Sequence, residues 1–200
     1  FRSQYRFFVP HDVNGMIQLF GGKEEFVAAL DDIFNTDAEI HGNLVDITGL
    51  IGQYVHGNEP SHHIAYLYNY VGEPWKTQKM SRRLLNEMYH PTPEGIIGNE
   101  DCGQMSAWYI LSSMGLYSVC PGSNEYVLTT PLFEKVVVHL ANGRTLTILA
   151  NDPQKNIYIT KVELNGKQID TNFITYDCLM RGGELRFTLS DKPNKSRRSE

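Results

Sequence analysis

Glu100 and Asp101 stand side by side in Gly98-Asn99-Glu100-Asp101-Cys102-Gly103, directly ahead of the apolar run Met105-Ser106-Ala107-Trp108-Tyr109. A glycine-bracketed turn that opens into such a run sets its side chains at a helix N-terminus. Two chemistries are open to them. Asp101, with Gln104 three residues on, matches an acid-type capping box, in which a carboxylate accepts the first free N–H groups of the helix. Capping needs only one carboxylate. Two adjacent ones raise each other's pKa, which makes one a candidate proton acceptor near neutral pH.

The same construction occurs about forty residues earlier, in His56-Gly57-Asn58-Glu59-Pro60-Ser61-His62-His63. Asn58 suits an N-cap and Pro60 the first helical turn, where a missing N–H costs nothing. Beyond capping, Asn58 and Glu59 offer oxygen ligands on a bent backbone, which suit a hard cation such as calcium, whereas His56, His62 and His63 suggest zinc. Adjacent His62 and His63 cannot both face one ion from one helix, so calcium is the preferred cation.

The 200 residues are 41% hydrophobic, enough for a real core in one ordinary domain or two small ones. A net charge of -5 argues against a nucleic-acid partner and is compatible with binding a cation or a neutral sugar. No apolar run approaches membrane-spanning length, and the Phe1 start reads as a soluble piece of a longer chain. Three cysteines, Cys102, Cys120 and Cys178, with no CxxC spacing, are expected as free or buried thiols.

The elements that must position these residues follow from periodicity. Phe1 to Pro10 is an aromatic-rich inner segment, and His11-Asp12 opens a short helix to about Leu19; these two either start that helix or line a site. Lys23 to Asn35 is amphipathic, with Phe26, Ala29, Leu30, Ile33 and Phe34 inward and Glu24, Glu25, Asp31 and Asp32 in water. Thr36 to Gln53 reads as a loop with at most one helical turn. Helices are expected over Pro60–Val71, Trp75–Tyr89 and Cys102–Met114, the second with Lys79, Arg82, Arg83 and Glu87 on a solvated face and the third buried on nearly all sides. Outer and inner helices in alternation suggest part of an α/α toroid. From about residue 122 to 191 the pattern becomes an antiparallel β unit, with hairpins at Asn142-Gly143, Asn165-Gly166 and around Arg181-Gly182-Gly183. Residues 192–200, rich in Lys, Arg and Ser, read as a disordered tail. The fold class is thus α+β, with residues 1–121 as the helical portion.

Three segments carry a resemblance. QYRFFVPHDVNGMI at 4–17, HGNEPSHHIAYLYNYVG at 56–72 and GNEDCGQMSAWYILSSMGLYSVCPGSNEYVL at 98–128 resemble the C-terminal part of family 92 glycoside hydrolases, calcium-dependent inverting exo-α-mannosidases. The likeness runs to about Pro131 and more loosely beyond. It implies the last helices of a six-hairpin (α/α)6 toroid, with Asp101 as general base and Glu100 as a partner acid in the water site. It also implies Asn58 and Glu59 as part of a Ca2+ site that binds the mannose 2- and 3-hydroxyls, and His56, His62, His63, His11 and Asp12 as candidate sugar contacts. The implied substrate is the terminal α-linked mannose of a glycan, α-1,2 linkage favoured, and the implied location is outside the cytoplasm of a bacterium: secreted, periplasmic or at the cell surface. In that family the general acid is a glutamate shortly before a Trp-Gln-Tyr-like triplet. Here Ser3-Gln4-Tyr5 has no acidic residue among the first ten, and the family's N-terminal β-sandwich and the rest of the barrel are not in this chain. The expectation is that this chain alone is inactive. Two other readings remain: a carbohydrate-binding or structural remnant that uses the β unit, and part of another α/α-barrel enzyme such as a glycoside phosphorylase.

Overall fold

The computed structural model describes residues 2–37 and 47–196. Its helical part comprises α1 (Arg2–Tyr5), α2 (Val13–Leu19), α3 (Lys23–Asn35), a small hairpin of β1 (Leu50–Ile51) and β2 (Tyr54–Val55), two 3-10 segments (Glu59–Ser61 and Ile64–Val71), α4 (Pro74–Met88) and α5 (Gln104–Ser113). The second part comprises β3 (Leu116–Tyr117), β4 (Glu125–Leu128), β5 (Lys135–His139), β6 (Thr145–Ala150), β7 (Tyr158–Leu164), β8 (Lys167–Gln168), β9 (Phe173–Thr175), α6 (Tyr176–Met180) and β10 (Gly183–Ser190). Helices and sheets are thus mixed, and each part encloses its own apolar cluster. Phe26, Leu30, Ile64, Leu67, Leu84 and Trp108 anchor the first. Ile148, Val162, Leu185 and Phe187 anchor the second.

The apolar spacing of α3 buries Phe26, Leu30, Ile33 and Phe34. Asp31, expected in water, instead accepts from the Tyr68 hydroxyl at 2.9 Å and pairs with Lys76. The segment expected as a helix over Pro60–Val71 is two 3-10 pieces in which every residue from Ser61 to Asn69 is buried. A 3-10 helix is the thinner cylinder, and this one is packed against both α3 and α4. It stops at Gly72, whose left-handed φ of 78° ends the helix. Residues 38–46 of the expected Thr36–Gln53 loop lie outside the described residues; the remainder forms the β1–β2 hairpin.

α4 corrects one reading of the sequence. Arg82 is not on a solvated face but buried, donating from one guanidinium nitrogen to the Pro153 carbonyl and from the other to the Pro131 carbonyl at 2.7 Å. Ser81 meets the Thr129 hydroxyl at 2.7 Å, and Gln78 accepts the Ile159 N–H at 3.0 Å. The inner face of α4 is therefore a row of hydrogen bonds to the β part. A charge tolerates burial there because carbonyls replace its water. Burial lowers the Arg82 pKa to about 10, which leaves it protonated at neutral pH. α5 also departs from expectation: Trp108 is fully buried, but Ile110 is 55% exposed, so one face of the helix is open.

The larger sheet has the order β5-β6-β10-β7-β8 and the smaller the order β3-β4-β9. Asn142-Gly143 joins the antiparallel pair β5–β6, and Asn165-Gly166 joins β7–β8. The third expected hairpin is absent. β9 pairs with β4 in the smaller sheet, α6 carries the chain across, and β10 inserts between β6 and β7, parallel to the first and antiparallel to the second. The β unit is therefore mixed rather than antiparallel. β3 already belongs to it through its pairing with β4, ahead of residue 122. In the tail, Lys195 lies over the Trp75 ring, and residues 197–200 lie outside the described residues. Among the described residues no helix is long and apolar enough to cross a membrane, and all three cysteines are free.

At the centre of the helical part is a cluster of imidazole and aromatic rings. The Tyr89 hydroxyl gives its hydrogen to the Met105 carbonyl, so it accepts from His56 Nε2 at 2.8 Å, and His56 Nδ1 in turn accepts from the Tyr54 hydroxyl at 2.8 Å. That ring is neutral, and burial, reinforced by nearby His62, lowers its pKa to about 3. His62 and His63 are lowered for the same first reason, burial.

Two outcomes follow. Arg82→Ala leaves two carbonyls unpaired in the interior and should lower the unfolding free energy by about 3 kcal/mol, with Arg82→Lys intermediate, as read by denaturant melts. A wild-type-like Ala variant would remove the proposed seam. Because the imidazole pKa values are depressed on folding, the stability they contribute is full above pH 6.5 and is lost as pH falls towards 3. His56 alone is worth on the order of 5 kcal/mol at the acid extreme. The melting temperature should drop steeply from pH 6.5 to 4, and less steeply in His56→Gln; a flat profile would show that the ring is not buried neutral.

Candidate active site

The N-terminus of α5 is built differently from a capping box led by Asp101. Its N-cap is Gly103, in the left-handed region and without a side-chain hydrogen bond. The capping carboxylate is Glu100, which accepts the Ser106 N–H at 3.0 Å and the Ser106 hydroxyl at 2.8 Å. Glu100 is thus turned towards the helix, with both carboxylate oxygens engaged, and not towards Asp101. Asp101 and Cys102 carry φ values of 52° and 57°. Consecutive left-handed non-glycine residues are uncommon and cost about 1 kcal/mol or more each, and here they swing the Asp101 side chain away from the helix it precedes.

It swings towards the earlier turn. Gly57 and Gly98 both lie against Thr48: a Cβ on Gly57 would sit 2.1 Å from the Thr48 hydroxyl oxygen, and one on Gly98 2.5 Å from the same atom and 3.8 Å from the Gly57 Cα. Only glycine lets the two backbones pass this closely. The result is that Glu59 and Asp101, 42 positions apart, lie within hydrogen-bond reach of each other. Asp101 has its pKa raised, first by sharing a hydrogen bond with Glu59, then by desolvation and the Glu59 charge, while His62 opposes the shift. The paired carboxylates of this protein are therefore Glu59 and Asp101, both exposed, not Glu100 and Asp101.

His62 joins the turns. Its Nε2 donates to the His56 carbonyl at 2.8 Å, which leaves Nδ1 to accept from the Gln104 amide at 3.1 Å, and Trp108 Nε1 donates to the His62 carbonyl at 3.0 Å. Gln104, read from the sequence as a capping partner, is in fact the first residue of α5 and holds that helix to His62. His56 and His63, the other candidate sugar contacts, are both buried. Both His56 nitrogens are bonded inside a ring that is wholly buried, and His63 donates to the Phe7 carbonyl at 2.7 Å. His62 is buried with both nitrogens engaged as well. Asp12 caps α2 by accepting the Gly15 N–H at 2.8 Å, in keeping with its helix-start reading, and His11 is exposed. The hydrogen bonds of the described residues do not bring either of them to Asp101.

Asn58 does not cap its helix with its side chain; its Nδ2 donates to Gln4 Oε1 at 2.8 Å, and among the described residues no hydrogen bond to its Oδ1 is found. The oxygen donors on hand are thus Asn58 Oδ1 and the Glu59 and Asp101 carboxylates, a set suited to a hard cation, which would also offset the repulsion between the two acids. Among the described residues no group of three or more His, Cys, Asp or Glu side chains could hold a metal. Thr48 carried no signal in the sequence, and Gln4 was marked only as part of the Ser3-Gln4-Tyr5 triplet, with no role of its own.

A cavity of about 810 Å³ opens elsewhere, between the end of α4, the loop at Pro91–Pro93 and the open face of α5, with Tyr109, Ile110 and Phe133 in its wall. Among the described residues no carboxylate lines it. It meets the site, among those residues, at Ser106, the residue that holds Glu100, and at Tyr89, which is bonded to His56.

The model of the glycosyl hydrolase family 92 catalytic domain matches residues 2–191. A family GH92 α-mannosidase from Bacteroides thetaiotaomicron, solved in complex with mannoimidazole, is 44% identical with a TM-score of 0.94, over 98% of this chain and 26% of that one. A GH92 inverting mannosidase from the same organism is 38% identical with a TM-score of 0.85, over 99% and 28%. An uncharacterized secreted glycosidase from Arthroderma benhamiae is 34% identical over 92% of this chain and 22% of its own length. The chain thus spans about a quarter of the length of the relatives it matches. With the family model matched along nearly its whole length, this chain belongs to glycosyl hydrolase family 92.

Proposed function

We propose that the protein carrying this chain is an exo-acting α-mannosidase that removes terminal α-linked mannose from glycans with inversion and depends on calcium, and that it acts outside the cell. In this reading Asp101 is the general base, and Asn58 and Glu59 are calcium ligands. The observation that carries the reading is the contact between Glu59 and Asp101, which sets an acid with a raised pKa beside oxygen donors on an exposed surface. Inversion requires a base that takes a proton from water as that water attacks the anomeric carbon from the side opposite the leaving group. Asp101 is exposed enough to hold such a water. Glu100 keeps the turn in place through Ser106, and His62 keeps the turn against the earlier one. Calcium would supply positive charge that binds vicinal sugar hydroxyls without proton transfer.

The general acid must stand on the opposite face of the scissile bond, and no acidic residue occurs among the first ten, where the resemblance expects it nearby. The helices would be the closing ones of an (α/α)6 toroid whose other members complete the pocket. We therefore expect the isolated 200-residue chain to hydrolyse mannosides poorly or not at all.

In the complete protein, Asp101→Asn should lower kcat about 10³-fold on an α-1,2-linked mannobiose while the melting temperature stays close to wild type. Proton NMR of the first product should show β-mannose. Release of α-mannose, or an Asp101→Asn variant with full kcat, would refute the base assignment. Removal of divalent ions with a chelator should abolish turnover, and calcium but not zinc should restore it; undiminished activity after chelation excludes the cation from the reading.

A further inference from the structure

α4 carries more positive charge than its packing needs. Lys76, Lys79 and Arg83 recur at spacings of three and four and share one face of the helix, although like charges four apart disfavour it. Together with Arg82 they line a cavity of about 510 Å³, to which α3 contributes Asp31 and in which Trp75 forms a ring wall. Neither Asn58, Glu59 nor Asp101 lines it.

The charges of this cavity do not cancel. Asp31 is engaged with Lys76, and Arg83 is paired at 2.9 Å with Glu87, which lies outside the lining. For Lys79 and Arg82 no carboxylate partner is found among the described residues. Arg82 is only 6% exposed; its two terminal nitrogens donate to the Pro153 and Pro131 carbonyls, and its Nε has no hydrogen-bond partner. Carbonyls solvate a buried charge without neutralising it, so its field reaches further than that of a charge in water. Burial alone lowers the Arg82 pKa, with no acid acting against it. Lys195 of the tail lies 5.1 Å over the Trp75 ring and brings a further cation to that wall. A chain of net charge -5 thus concentrates unbalanced positive charge in one hollow of ligand size.

We propose that this cavity binds a phosphate monoester. At neutral pH such a group carries a charge of about -1.5 to -2 and three strong acceptor oxygens. That charge matches the two cations without an acid partner, and the oxygens suit donors from Lys79 and Arg83, while Arg82 adds charge that water does not screen. The cavity is larger than a bare phosphate fills, which leaves room for a sugar ring as the carrier.

The test is calorimetry on the complete protein in low-salt buffer, with glucose 6-phosphate, inorganic phosphate, glucose 6-sulfate and glucose as ligands. Glucose 6-phosphate should bind, less tightly as salt is added, and glucose should not. In the double variant Lys79→Gln, Arg83→Gln the affinity should fall at least about 10-fold, the loss expected from one charge-assisted hydrogen bond or more. Both side chains are exposed, so melting temperature and turnover of a neutral mannoside should stay close to wild type. A second double variant on the sheet, Lys135→Gln, Lys167→Gln, removes the same charge elsewhere and should bind as wild type does. Inorganic phosphate binding as tightly as the sugar phosphate supports the site with the free ion as its ligand. Equal binding of the singly charged sulfate ester overturns the match to a doubly charged group. No binding of either phosphate, or an affinity that falls equally in the two double variants or in neither, overturns the inference.

Discussion

Everything at this site depends on how one buried imidazole is bonded. His62 donates from Nε2 to the His56 carbonyl, accepts at Nδ1 from Gln104, and offers its own carbonyl to the Trp108 indole. The first bond closes the Asn58 turn on itself, and the other two tie that turn to α5. A protonated His62 would lose its acceptor and with it the Gln104 bond, which is why burial that keeps the ring neutral matters to the geometry. With the joint in place, Glu59 and Asp101 meet. The close passage of Gly57 and Gly98 at Thr48 acts with it to hold the two turns together.

The surrounding structure shows how such a contact is held against repulsion. Left-handed backbone at Asp101 and Cys102, close passage of Gly57 and Gly98 at Thr48, and a buried donor on Gln4 are each unfavourable by themselves. They persist because the interior is heavily cross-bonded. α4 is tied to the β part through Gln78, Ser81 and Arg82, and to the 3-10 segment through Thr77, which donates to the Ala65 carbonyl at 2.9 Å. Unfavourable local geometry gathered at one place and supported from several sides is what a site under functional constraint looks like.

The two apolar clusters serve different ends. The sheet cluster is an ordinary alternation of inward and outward residues, as in Leu146, Ile148 and Ala150 along β6, and nothing chemical converges on it. The helical cluster is rich in rings, among them Tyr54, Tyr89 and Trp108 around His56, with the Tyr66 hydroxyl paired to Ser112. A ring-and-hydroxyl interior has few alternative packings, because each polar atom must find its partner. It therefore gives the Asn58 and Asp101 turns a stiff base, whereas the open face of α5 with Ile110 leaves that side of the chain free.

The two Asn-acid turns were legible in the sequence because their residue types are unusual in combination, and so were α3, α4 and the Asn-Gly hairpins, whose signals are local. The order of the β strands was not, since the Gly182-Gly183 turn looks the same whether β10 folds back as a hairpin or crosses to lie parallel to β6. Nor was the burial of Arg82, because a helix periodicity cannot know that two proline carbonyls wait opposite it. At the site the sequence alone determined which carboxylates and amides were available. Only the tertiary structure decided their partners: Asp101 with Glu59, Glu100 with Ser106, Asn58 with Gln4, and His62 with Gln104. The reason is physical. Each of those hydrogen bonds except that of Glu100 joins residues more than forty positions apart, and such pairings are set by packing of the whole chain, not by any spacing within it.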